Sequence, residues 1–169
     1  LIYKNITNQK YENSGEGWHQ GVELELERKI NSNWKVDGNL SWIETHDKDN
    51  NHDLEGAPEW LSNLSLTWQP HTGHTLTAHL RYVGDRKRSA SDSRYDLEGF
   101  QAVDISGNWR RVFSSDVNLR AGVHNLFDAD IRYPASFDAD IRYPASPSTY
   151  SNDYPQQGRS WWLRLSQNF

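Results

Sequence analysis

Apolar and polar residues alternate with a period of two along most of this chain, in short stretches broken by turn-forming sequence. In Trp60 to Gln69, Leu64, Leu66 and Trp68 oppose Asn63, Ser65 and Thr67; in His74 to Val83, Leu76, Ala78, Leu80 and Tyr82 oppose Thr75, Thr77, His79 and Arg81. Successive side chains of a strand point to opposite faces, so each stretch predicts a β-strand with one apolar face. The same reading predicts strands at Leu1 to Thr7 (where Lys4 interrupts the pattern), Trp18 to Ile30, Trp34 to Ile43, Ala102 to Arg111, Val117 to Leu126 and Ser160 to Phe169, about eight in all. None of these stretches follows the helical period.

Three of them, Trp34 to Trp42, Trp60 to Trp68 and Trp161 to Phe169, place an aromatic at both ends of one face. Eight strand steps, tilted by about 40°, climb about 20 Å, close to the apolar band of about 25 Å that a membrane-spanning barrel presents between two aromatic girdles. A soluble sandwich has no reason to bracket its apolar face in this way. The connections also alternate. Asn31 to Asn33, Pro70 to Gly73 and Phe113 to Asp116 are tight, whereas Gln9 to Gly17, Glu44 to Glu59, Gly84 to Gly99 and Asp128 to Gly158 are long and polar. Outer-membrane barrels have short periplasmic turns and long extracellular loops. That rule puts Phe169, Trp34, Trp68 and Trp109 at the periplasmic rim, and Trp18, Trp42, Trp60, Tyr82 and Trp161 at the outer rim. The expected fold is an all-β, transmembrane, antiparallel up-and-down barrel of about eight strands, one domain without a linker. Leu64, Leu66, Leu76, Leu80, Val103, Ile105, Leu119, Leu163 and Leu165 should face lipid, and Asn63, Thr77, Asp104, Arg120 and Arg164 should face inward.

A mean hydropathy of −0.92 looks soluble, but the polar inner face and loops of a barrel dilute its apolar surface. No run approaches the roughly 20 apolar residues of a spanning helix. Cysteine is absent, which excludes disulfides and thiolate chemistry, and the net charge of −5 argues against a nucleic-acid partner. The chain has no methionine and opens at Leu1 without a signal-like region, as expected of a processed chain or a piece of a longer one.

Phe127 to Ser136 reads FDADIRYPAS, and Phe137 to Ser146 repeats it. The duplication falls in the longest predicted extracellular loop, where added length costs little closure entropy. It reads as a tolerated insertion, or as doubled ligand contacts through Arg132, Tyr133, Arg142 and Tyr143. Arg86, Lys87, Arg88 and Arg94 form a basic cluster that could meet lipopolysaccharide phosphates or an anionic ferric chelate, though a merely solvated loop is the better reading. His46 to Glu55 spaces carboxylates and amides as a calcium loop does, making Asp49, Asp53 and Glu55 the metal candidates. Pro58 stands where the bidentate glutamate belongs, and His52 replaces the turn glycine, so a solvated acidic loop is the better reading. His79 and His124 face inward without an evident third metal ligand, as part of a polar lining with Arg81, Asp104, Arg110 and Arg120. No cofactor site and no catalytic constellation can be assembled.

Several segments resemble TonB-dependent outer-membrane receptors: Gly21-Val22-Glu23-Leu24-Glu25-Leu26 after Tyr11-Glu12-Asn13, Pro58 followed by Asn63-Leu64-Ser65-Leu66, Asn125-Leu126-Phe127-Asp128, and Gly158-Arg159-Ser160 leading to Phe169. Their order and spacing span nearly the whole chain. The resemblance implies a 22-stranded barrel of the bacterial outer membrane, plugged by an N-terminal domain and energised through TonB, that imports a scarce nutrient such as a ferric siderophore. On that reading, residues 1–169 are a C-terminal barrel segment without the plug, touching TonB only through the missing N-terminal part. Outer-membrane lipid and lipopolysaccharide would surround it. The terminal face Trp161, Leu163, Leu165 and Phe169 resembles the signal read by the barrel assembly machinery, with Gln167 departing from the aromatic usual there. The rivals are a complete small eight-stranded outer-membrane protein with a structural or adhesive role, and a small-barrel enzyme that would need a Ser/His pair near one rim.

Overall fold

The computed structural model describes residues 2–4, 11–13, 16–48, 51, 53–54, 56–88, 94–112, 116–133 and 153–167. These contain no helix. The strands are β1 (Ile2–Lys4), β2 (Tyr11–Asn13), β3 (Gly17–Lys29), β4 (Trp34–Asp47), β5 (Trp60–His71), β6 (His74–Val83), β7 (Phe100–Val112), β8 (Val117–His124), β9 (Arg132–Tyr133), β10 (Tyr154–Pro155) and β11 (Ser160–Gln167). Seven of them form one sheet in the order β11-β8-β7-β6-β5-β4-β3, with every neighbouring pair antiparallel. The wall is an up-and-down meander, open at β3 and β11.

The register carries one apolar face across the wall. Leu64 pairs with Leu80 and Leu80 with Val103, Leu66 with Ala78 and Ala78 with Ile105, and Trp109 with Leu119 and Leu119 with Leu165. Leu64 and Leu66 remain 43% and 38% exposed, so no second sheet covers this face among the described residues. The opposite face runs Asn63 to Arg81, Ser65 to His79 to Asp104, and Asn108 to Arg120 to Arg164. A slip of one residue would exchange the two sets, and the structure keeps the register that alternation predicts. Two tryptophan pairs mark the apolar face: Trp34 and Trp68 stack with centroids 5.9 Å apart, and Trp42 and Trp60 lie 6.4 Å apart.

Local chemistry closes the short connections. The Asn31 side-chain oxygen accepts from the N–H groups of Asn33 and Trp34 at 2.8 and 3.0 Å, an Asx turn that reverses the chain between β3 and β4. Gly73 takes φ of +87° in the β5–β6 turn, where its lack of a Cβ removes the usual penalty. Within the sheet, Gly122 lets the Trp162 ring lie against β8: a Cβ there would come within 2.7 Å of the Ile105 carbonyl and 2.8 Å of the indole.

Three expectations change. The described part of the expected strand Leu1 to Thr7 does not join the wall: Ile2–Lys4 pairs with Tyr11–Asn13, from the connection expected at Gln9 to Gly17, in a separate ribbon. Lys4 interrupts the alternation in the sequence, so hydropathy there does not distinguish a wall strand from a local hairpin. β4 continues past Ile43 to Asp47 because β3 keeps pairing with it, from Gly21 opposite Ile43 to Gly17 opposite Asp47. Both parities of Glu44 to Asp47 are polar, so hydropathy gives no sign of this extension. β8 stops at His124 instead of Leu126, because Asn125 turns the chain with φ of +49°; Phe127 therefore lies in a turn and does not continue a strand.

Val83 pairs with Phe100 and Ser160 with His124, so the connections 84–99 and 125–159 leave the same end of the wall. Gln167 pairs with Val117 at the other end, as the alternation of long and short connections predicts. A small core of Phe100, Ala102 and Ile131, flanked by Val83 and Ala129, sits at the loop end on the face that carries Arg81 and Asp104. This apolar cluster therefore lies where a loop folds back over the polar face, whereas Val123, 4% exposed, is buried on the apolar side beside Ile105 and Trp161.

Candidate functional site

Three connections meet at Arg86. Its backbone exchanges hydrogen bonds with Leu97 at 2.9 and 3.0 Å and bridges to Pro58, while the neighbouring Lys87 carbonyl accepts from the Gly56 N–H at 2.8 Å. Its guanidinium donates to the Arg132 carbonyl at 2.8 Å and lies about 5.5 Å from the ring centroids of Phe100 and Tyr133. Such cation–π contacts strengthen when desolvated, and Arg86 is only 4% exposed. Burial pulls its pKa below the ordinary guanidinium value, against the opposing influence of Tyr133 and Asp153.

The rest of the basic cluster is similarly engaged. Arg88 makes a bidentate pair with Asp153 at 2.7 and 2.5 Å, with side chains 7% and 11% exposed, and its Nε donates to the Tyr95 carbonyl at 2.7 Å. Arg94 approaches the same carboxylate at 3.6 Å. Lys87 binds Asp96 at 3.0 Å, which holds the lysine above its ordinary pKa and, with the Arg88 N–H, the carboxyl below its own. Arg132 pairs with Asp130 at 2.8 Å, and Tyr133 stays 42% exposed. The reading of a merely solvated basic loop is therefore corrected for Arg86 and Arg88, which are buried cross-links between loops. Arg142 and Tyr143 lie outside the described residues.

The residues after β8 form a second fastening. Asn125 takes its own N–H to Asp104 at 2.8 Å, and its side-chain amide both donates to the Ala129 carbonyl and accepts from the Ala129 N–H at 2.9 Å. Asp128, with φ of +57°, accepts from the Arg159 N–H at 2.7 Å. Two segments that carry the family resemblance, Asn125 to Asp128 and Gly158 to Ser160, thus meet and set the start of β11.

Between this roof and the polar wall lies a cavity of about 260 Å³, with Arg81, Asp104 and His124 below and Ile131, Tyr133 and Gln156 among the residues above. One row of the wall reads Ser65, His79, Asp104, His124: Ser65 Oγ lies 3.0 Å from His79 Nδ1, and His124 Nδ1 lies 3.1 Å from Asp104. The inward polar lining therefore exists, with cationic, anionic and imidazole groups available to an anionic or hydrogen-bonding guest. Among the described residues no group of three or more potential metal ligands converges. Asp53 is described; Asp49 and Glu55 lie outside the described residues. Sequence reasoning passed over Asp96, Asp153, Phe100 and Ile131. Asp153 stands 65 positions from its partner Arg88, and no local pattern signals such a pair.

A family model described as "TonB dependent receptor-like, beta-barrel" matches residues 1–126. The ferric enterobactin receptor of Pseudomonas aeruginosa is 24% identical over 99% of this chain, which spans 23% of that protein. The metal-pseudopaline receptor of the same species is 27% identical over 68% of this chain and 17% of its own length. The crystal structure of the ferric yersiniabactin uptake receptor from Yersinia pestis is similar in fold, with a TM-score of 0.73 at 19% identity over 95% of this chain and 25% of that one. The chain spans less than a quarter of the length of the two curated relatives.

Proposed function

Because this chain belongs to the TonB-dependent receptor β-barrel family, as the match over residues 1–126 establishes, we propose that it is the C-terminal wall of a receptor importing a scarce metal chelate, such as a ferric siderophore. Members of the family are outer-membrane transporters and not enzymes, which supports the same location and class of activity here. The observation that carries the proposal is the two-faced wall: apolar on one side, polar on the other, with long connections folding over the polar side at one end. That is the geometry of a lipid-bounded passage with a recognition surface at its mouth. The relatives' names, which speak of ferric enterobactin and metal-pseudopaline, motivate a chelated metal as cargo.

In this reading the ends of the wall near Val83 and His124 face the cell exterior. Trp18, Trp42, Trp60, Tyr82 and Trp161 belong to the outer aromatic girdle, and Trp34, Trp68 and Trp109 to the periplasmic one. Arg94, Arg132 and Tyr133 reach the guest, with Arg142 and Tyr143 supplied by the second copy of the repeat, while Arg86, Lys87 and Arg88 hold the loops in shape. Trp161, Leu163 and Leu165 share the lipid face and, with Phe169, address the barrel assembly machinery. TonB acts through an N-terminal part of the receptor. The unpaired relation of β3 and β11 supports a segment of a larger barrel over a closed eight-stranded one.

The test is uptake of radiolabelled iron, supplied as a panel of ferric siderophores, by cells with and without the intact receptor gene. Loss of uptake of one chelate on deletion, restored by the gene only in the presence of TonB, is expected. Unchanged uptake and unchanged growth under metal limitation for every chelate would defeat the proposal.

A further inference from the structure

The polar face carries another cavity, at the end of the wall away from the long loops. It measures about 470 Å³, within the roughly 300–1,000 Å³ of small-ligand sites, and its lining includes Arg110, Arg111, Arg120, the amides Asn108 and Asn118, and Asp116. Consecutive strand residues point to opposite faces, so Arg110 and Arg111 would not ordinarily share a cavity. They do so because β7 carries an irregularity: pairing with β8 passes from Trp109 opposite Leu119 directly to Val112 opposite Val117, and Arg111 takes φ of +56°. One extra residue on β7 is a β-bulge, a device that re-aims a side chain. Here it adds a second guanidinium to the same space.

Among the described residues, these cations are not consumed by the fold. The guanidiniums of Arg110 and Arg111 have no hydrogen-bond or ion-pair partner among the described residues, in contrast to Arg88 and Arg132 at the loop end. Among the described residues, Arg120 engages only its Nε, with Asn108 Oδ1 at 3.2 Å. Among the described lining residues, three guanidiniums thus face one carboxylate, Asp116, with two side-chain amides as further donors. Guanidinium forks match oxyanions bidentately, and donors arriving from two strands suit a tetrahedral, many-oxygen anion better than one planar carboxylate.

We propose that this cavity binds a polyvalent phosphate-type oxyanion from the aqueous side of the wall. The apolar face lies on the other side of the sheet, which excludes a lipid headgroup as the source and favours a free, water-borne anion. The site stands apart from the import reading: it requires only the β7–β8 bulge and the polar face.

The intact receptor, purified in detergent at low salt, would be titrated calorimetrically with inorganic phosphate and with pyrophosphate. Saturable binding is expected, tighter for pyrophosphate, and weakened about tenfold or more by Arg111→Gln or Arg120→Gln, as loss of a charged hydrogen bond implies. Lys35→Gln, which removes a charge from the same face away from the cavity, should leave binding unchanged. Heat-modifiable gel mobility would establish that each variant keeps its barrel. Absence of saturable binding overturns the proposal, as does equal weakening by Lys35→Gln or indifference to both arginine changes. Binding that appears only when phosphate-bearing lipid is present would assign the anion to a headgroup and also overturn it.

Discussion

Replacing Asp153 by alanine leaves the Arg88 guanidinium, 7% exposed, without the carboxylate that accepts two of its N–H groups. Removing one partner of a buried ion pair costs about 3–5 kcal/mol, because the remaining charge stays desolvated. Arg88 keeps its bond to the Tyr95 carbonyl and can swing toward water when the loop opens, so the lower end applies. About 3 kcal/mol corresponds to a roughly 10²-fold rise in the open population of the 84–99 connection. Hydrogen exchange on the intact receptor reads this directly: amides of Leu97 and Arg86, which pair with each other, should lose protection in Asp153→Ala. The double change Arg88→Met with Asp153→Leu should recover much of that protection, since an apolar pair of similar volume bears no desolvation penalty. Protection equal to wild type in Asp153→Ala would refute the argument, and a double variant as loose as the single one would show that specific geometry, not the stranded charge, sets the cost.

Three shorter expectations accompany it. Leu64→Arg, on the exposed apolar face, should lower barrel stability in bilayers by about 2–4 kcal/mol if it sits near the membrane midplane, whereas Asn63→Arg on the other face should be tolerated; equal effects would contradict the assigned faces. The Lys87–Asp96 tie should hold the loop between about pH 4 and pH 10. The depressed Asp96 contributes above its unfolded value near 3.9 and loses that contribution as pH falls through its folded value, while the raised Lys87 contributes below about 10.4 and loses it as pH rises through its own. Both side chains are about half exposed, so the effect stays below about 1 kcal/mol; a spin label at Tyr95 that is equally mobile at every pH would contradict it. Deleting Phe137 to Ser146 roughly halves the connection between the paired Tyr133 and Tyr154 and changes closure entropy by only about 0.6 kcal/mol, so assembly and heat resistance should persist, and a failure to assemble would show that the second copy is structural.

The wall was legible because it answers to one rule. Leu64 and Asn63 differ by a single position, and the two-residue period alone puts them on opposite faces, in agreement with the register. What hydropathy could not carry is backbone pairing without an apolar face: Glu44 to Asp47 extend β4 only because β3 lies beside them. The loop end was legible as composition but not as structure. Arg86 to Arg94 stand out as basic, yet the carboxylates that engage Arg88 and Lys87 come from Asp153 and Asp96, and Arg86 finds its aromatic neighbours in Phe100 and Tyr133. Asn125 to Asp128 was recognisable as a motif before its role was visible, because two left-handed residues and a reciprocal amide clamp leave no hydropathy signature.

The two ends of the open sheet are unequal. Among the described residues, β3 offers a border of 13 residues and β11 one of 8. Were these borders to zip together, roughly 16 Å of ladder on β3 would find no counterpart. The mismatch discourages the chain from circularising on itself or on a twin and assigns each border to a different neighbour. Produced alone, the piece would present two sticky margins of different length, inviting staggered, open-ended stacking instead of a closed ring. Recombinant handling should therefore keep both margins occupied, by expressing the wall together with the strands that belong beside it.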